Sequence, residues 1–199
     1  MKNLINTPIQ MAKYLAFFSI MAFSGSTLAA SLSALVDDFN HSTNNNLGVQ
    51  RQFMNDTVAG GKTNTELKIT AGVMHYEGDI VPPRGQPGWA SSVLLLDPQG
   101  LPKDASAFAG VELKIRVNKG NLSLSANSTE ITNFDYHAAT IVTENDGEFH
   151  TVKVPFTSMK RMWSEQTELN KSTINSLSIT AFDLQQGAFD FEVDEVRFY

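Results

Sequence analysis

The sequence predicts an all-β fold, an antiparallel β-sandwich. Three observations carry that reading. Apolar residues recur at every second position in one segment after another. Turn-forming Gly, Asn and Asp separate those segments. No stretch of the chain sustains a helical 3.6-residue pattern, so the strands have to bury their apolar rows against each other.

Taken in order, Leu35–Phe39, Glu66–Ile69, Val73–Gly78 and Ala90–Leu96 are the early strand candidates. Val111, Leu113, Ile115 and Val117 then share one side of a strand, against Glu112, Lys114 and Arg116. Leu122, Leu124 and Ala126 repeat the pattern against Ser123 and Ser125. Lys119-Gly120-Asn121 between these two runs reads as a hairpin turn. Asn145-Asp146-Gly147 introduces another strand, in which His150, Val152, Val154 and Phe156 oppose Phe149, Thr151 and Lys153. Pro155 near its end marks an edge or an exit from the sheet.

Leu177, Ile179 and Ala181 form the penultimate strand. In the last one, Phe189, Phe191 and Val193 share a face, while Val196 and Phe198 are out of phase by one residue. A β-bulge near Asp194-Glu195 reconciles the two halves. Ser158–Asn175, long and polar for a loop, is the one place for a helix.

The N-terminus reads as a signal peptide, residues 1–29. The first 36 residues contain no Asp or Glu, and Lys2 and Lys13 precede a short apolar run from Tyr14 to Phe23. Thr27-Leu28-Ala29 places small residues at −3 and −1 of a cleavage site after Ala29. The run is too short to span a bilayer, which takes roughly 20 apolar residues. The expectation is a periplasmic or secreted protein with no membrane span after cleavage, and a single domain over residues 30–199. Of the chain's 15 basic residues, 13 remain after cleavage, against 21 acidic ones, a net charge of −8. Such a surface repels phosphate backbones, so no nucleic-acid partner is expected.

Catalytic constellations are missing. There is no Cys, which removes thiol chemistry and Cys-ligated zinc. No G-x-S-x-G elbow and no H-E-x-x-H occurs. Gly60-Gly61-Lys62-Thr63 resembles the tail of a phosphate-binding loop, but the earlier Gly that loop requires is Asp56. The acids are numerous enough to form chance pairs. The expectation is therefore a protein that is not an enzyme.

Seven segments in order resemble the complex I intermediate-associated protein 30 family. Leu35-Val36-Asp37-Asp38-Phe39 looks like its first strand. Asn55 to Thr63 looks like its aspartate, Gly-Gly and hydroxyl segment. Gly72 to Asp79, Gly88-Trp89-Ala90-Ser91, Phe108 to Arg116, Phe149 to Phe156 and Gly187 to Val196 are similar to later strands. The resemblance implies a galactose-binding-domain-like jelly roll. The family is known for assisting assembly of mitochondrial respiratory complex I, which a signal peptide contradicts. The domain type is carried over and the task is not. Modules of this type often hold a structural Ca²⁺ near the paired first and last strands. The resemblance thus implies Asp38 and Asp194 as metal ligands, and no other cofactor is expected.

Aromatics outside the strand patterns supply the ligand-binding candidates. Sugars stack apolar ring faces on Trp or Tyr while polar side chains take their hydroxyls. Trp89, Tyr136 and Trp163 are the platforms, with Arg84, Asn133 and Asp135 nearby in sequence as polar partners. The competing reading is that these rings cap the ends of the core. The functional expectation is an exported, monomeric, non-catalytic module for a glycan or glycoconjugate. The alternative is a protein-binding assembly factor for an envelope complex.

Overall fold

The computed structural model describes residues 31–199, and the expected leader, residues 1–29, lies outside them. Among the described residues, twelve strands make two antiparallel sheets. The first contains β1 (Leu35–Asp37), β3 (Asn64–Thr70), β4 (Val73–Ile80), β6 (Gly110–Lys119), β9 (His150–Pro155) and β12 (Gly187–Phe198). Its order is β3-β4-β12-β6-β9, with β1 also paired to β12. The second contains β2 (Gln52–Asn55), β5 (Gly88–Leu95), β7 (Asn121–Ser128), β8 (His137–Thr140), β10 (Lys160–Arg161) and β11 (Ile174–Asp183). Its order is β10-β8-β7-β11-β5-β2.

The alternating rows meet between the sheets. Val111, Leu113, Ile115, Phe191 and Val193 of the first sheet are fully buried, as are Leu124, Leu177 and Ala181 of the second. Tyr76 packs edge-on against Phe53, Phe189 and Phe191, with ring centroids 5.4–5.9 Å apart. Such geometry favours aromatic pairs beyond the area they bury.

Two details of the last strands follow the sequence pattern. The register of β12 on β6 shifts between Val193 and Glu195, so a bulge at Asp194 keeps both Val193 and Val196 inward. Strand β9 lies at an edge, and Pro155, which has no N–H to give a ladder, ends it.

Two expectations fail. Lys119-Gly120-Asn121 is not a hairpin turn: β6 pairs with β12 and β9, whereas β7 pairs with β11 and β8. The chain crosses from one sheet to the other at Gly120. The backbone there has φ +90°, and a Cβ would lie 3.0 Å from that of Phe189, so only Gly turns this corner without strain. Inward alternation is identical for strands that pair side by side and strands that face each other across a core. Ser158–Asn175 holds no α-helix. It contains β10 and a 3₁₀ turn, Lys171–Thr173, and among the described residues the helical turns are all of this short kind. No helix among those residues is long and apolar enough to cross a membrane.

Candidate functional site

The outer face of the second sheet forms an open cleft of about 870 Å³. Its floor follows from strand register. Thr180 of β11 lies opposite Ser123 of β7 and Ser91 of β5, and Ser178 lies opposite Ser125 and Val93. Small side chains on neighbouring strands therefore form cross-strand rows. Ser91 and Thr180 hydroxyls are 2.9 Å apart, and the Asn127 amide donates to the Ser176 and Ser178 hydroxyls at 3.0 and 2.9 Å. Each hydroxyl has two lone pairs and one proton, so capacity remains for a ligand.

Two aromatic walls rise from this floor. Trp89 and Phe182, paired across β5 and β11, form one, with Met54 beyond them. Tyr136 and Trp163 form the other, edge to face at 5.4 Å, flanked by Met162 and Phe134. Trp163 is 61% exposed and Phe134 is 92% exposed. Burial raises the Tyr136 hydroxyl's pKa, and the neighbouring Asp135 charge raises it further.

The second wall is stapled from behind by Asp135, whose own side chain is buried. One carboxylate oxygen accepts from the Tyr136 and Met162 N–H groups at 2.8 and 3.0 Å. The other accepts from Arg161 Nε at 2.9 Å and from the Ser164 N–H at 3.0 Å. Asn133 completes the network by accepting from Arg161 and donating to Ser164. Burial alone would push the Asp135 pKa up. The bonds from Ser164, Tyr136, Arg161 and Met162 outweigh it and hold the carboxyl far below its ordinary range.

A depressed folded-state pKa gives stability that is complete above the unfolded value, about 4, and is lost as pH falls below it. Melting temperature is thus expected to hold from neutral pH to about 5 and to fall as pH drops below about 4, whereas the Trp fluorescence of the folded protein is expected to alter only at the much lower pH where the native carboxyl takes up its proton. In Asp135→Asn the altered signal is expected already at neutral pH. A wild-type spectrum for that variant would contradict the staple.

The first wall has its own support. Asp56 is fully buried and accepts from the Thr63 N–H and hydroxyl at 3.1 and 2.7 Å, and from the Trp89 N–H at 3.2 Å. Gly61 gives that carboxylate room, since a Cβ there would fall 2.2 Å from Asp56 Cγ. The Asp, Gly-Gly, hydroxyl segment is therefore a structural clamp on the start of β5.

Trp89, Tyr136 and Trp163 thus line one cleft, whereas Arg84 is exposed on the β4–β5 connection and outside the lining. Asp135 and Asn133 serve the wall and do not face a ligand. Sequence reasoning missed Phe134, Phe182, Met54 and Met162 as cleft residues, and it drew no functional reading from the outward Ser and Thr of β5, β7 and β11. Their recurrence on three strands was the available signal.

The outer face of the first sheet is different in kind. It carries the ion pairs Arg116–Glu192, Lys114–Asp194 and Lys68–Glu66. Asp194 would have to release Lys114 to ligate a metal. Asp38 accepts from the Asn40 N–H at 3.1 Å. Among the described residues, ligating atoms from three side chains converge at His75, Glu77 and Asp190 and at Glu144, Asp146 and His150, and neither group includes Asp38 or Asp194.

The two facing antiparallel sheets and their topology make a jelly-roll β-sandwich. The chain superposes on the family 11 carbohydrate-binding module of cellulosomal cellulase Lic26A-Cel5E of Clostridium thermocellum with a TM-score of 0.58 and 17% identity, over 85% of this chain and 95% of that one. The same module in complex with a β-1,3-1,4-mixed-linked tetrasaccharide gives a TM-score of 0.58 and 17% identity, over 85% and 96%. An agarase, AgWH50C, matches with a TM-score of 0.54 and 11% identity, over 82% of this chain but 24% of that one. No curated protein matches the sequence. The family model for Complex I intermediate-associated protein 30 (CIA30) matches residues 38–193, and the chain belongs to that family.

Proposed function

We propose that this chain is an exported, non-catalytic module that holds a glycan or glycoconjugate on the outer face of its second sheet. The observation that carries the reading is the cleft itself: aromatic walls at Trp89 and at Tyr136–Trp163, with hydroxyls and an amide between them. Flat rings take the apolar faces of sugars, and the floor takes their hydroxyls. The fold shared with carbohydrate-binding modules supports it. So does the sequence of residues 1–29, which reads as a secretory leader.

Trp163→Ala is the direct test, because this exposed ring contributes little to the core. Its melting temperature should match wild type, while retention on a glycan that binds wild type falls roughly thirtyfold, the 2 kcal/mol of a hot-spot aromatic. Retention unchanged in both Trp163→Ala and Trp89→Ala would overturn the cleft as the site.

Family membership favours a second reading, a protein-binding assembly factor for an envelope complex. Phe134, Trp163, Met162 and Met54, exposed together, suit a protein surface too. Under this reading one envelope protein co-purifies with wild type and not with Trp163→Ala, and soluble sugars do not compete it away.

A further inference from the structure

Resting on the glycan reading above, we infer that the ligand is a chain of neutral sugars lying across the strands, and that anionic polymers and polymers of unacetylated, protonated amino sugars are excluded. The chain has 15 basic and 21 acidic residues, yet no charged side chain and no histidine lines the cleft. The outer face of the opposite sheet, by contrast, carries charged pairs, Lys114–Asp194 and Arg116–Glu192 across strands and Lys68–Glu66 along β3. Behind the second wall, Asp135 and Arg161 neutralise each other, and both side chains are nine-tenths or more buried.

The consequence for a ligand is direct. A uronate or sulfate entering this cleft would lose water and meet no cation. A protonated amino sugar would meet no carboxylate. Either leaves a partly desolvated charge without a compensating partner, which disfavours its binding. Neutral hydroxyls meet Ser91, Ser125, Ser178, Thr180 and Asn127, which can both donate and accept.

The shape selects an extended ligand over a single terminal sugar. The floor runs over β7, β11, β5 and β2, about 14 Å at the usual strand spacing, with the Tyr136–Trp163 wall beyond β7. Small side chains keep the floor low, and the cleft is open at its surface, so a polymer can lie in it without a chain end.

Matched polymers test this. Wild-type protein is run in affinity gels containing hydroxyethyl cellulose or carboxymethyl cellulose, mixed-linked β-glucan, and agarose or its sulfated counterpart carrageenan, at low and high salt. The expected result is retention by at least one neutral polymer, at least about tenfold stronger than by its charged counterpart, and unchanged by salt, since no ionic contact is screened. Retention by a charged polymer that weakens with salt overturns neutrality and leaves the glycan reading standing. Retention by none of these polymers removes the glycan reading and this inference with it.

Discussion

Arg51→Met is expected to lower the melting temperature by roughly 10 °C, the equivalent of about 3–5 kcal/mol for a domain of this size. Arg51 and Asp37 are both buried, and the guanidinium bonds both carboxylate oxygens, Nε at 2.5 Å and Nη2 at 2.7 Å. Its Nη1 donates to the His41 carbonyl at 2.7 Å, and its plane lies 4.9 Å from the centre of the Phe39 ring. Asp37 also accepts from the Phe39 N–H at 2.9 Å, which holds Phe39 in a left-handed conformation with φ +53°. Removing the cation leaves a buried carboxylate without its partner. The double variant Asp37→Asn/Arg51→Met should cost less than the sum of the single losses, because the two residues act as one unit. Calorimetry of the three variants checks it. A single variant melting within about 2 °C of wild type, less than the shift for 1 kcal/mol, would refute the pair's role. Neither Arg51 nor Asp37 lines the cleft, so glycan retention by the folded fraction should be unchanged.

Gly61→Ala should damage both stability and binding. Its Cβ would collide with Asp56 Cγ at 2.2 Å, and Asp56 has nowhere to retreat within a buried site. Overpacking of this kind costs about 3 kcal/mol. Movement of Asp56 also frees the Thr63 and Trp89 N–H groups, so the first aromatic wall shifts. Weaker glycan retention with altered Trp fluorescence is the expected pair of readouts. Wild-type melting together with wild-type retention in Gly61→Ala would show that the clamp does not position the wall. The contrast with Arg51→Met separates general stability from support of the cleft.

Much of the fold was legible because long strands repeat a period of two. The rows in β6, β7, β11 and β12 are the buried rows of the structure, and the phase slip before Val196 became the bulge at Asp194. Short strands were not legible. Gln52–Asn55, His137–Thr140 and Lys160–Arg161 hold two to four residues each, too few to show alternation. Sheet assignment was not legible either, since Gly120 suits a corner as well as a hairpin.

At the site, Trp89, Tyr136 and Trp163 could be picked out as aromatics outside the regular pattern. What joins them could not, because the cleft depends on β8 and β10 lying beside β7. Asp135 illustrates the difficulty. In sequence it is one acid among 21, and only its three bonds to residues 161–164 reveal it as the support of Trp163.

Strand β12 lies in the middle of the first sheet and bonds β1, β4 and β6 at once. In a nascent chain that has not yet delivered residues 187–198, β1 has no partner, and β4 and β6 each have one side unpaired, keeping only β3 and β9. Those strands wait with open edges, and closure needs contacts between opposite ends of the sequence, the slow kind. The domain therefore completes itself late, all at once, and stays pliable for as long as synthesis lasts.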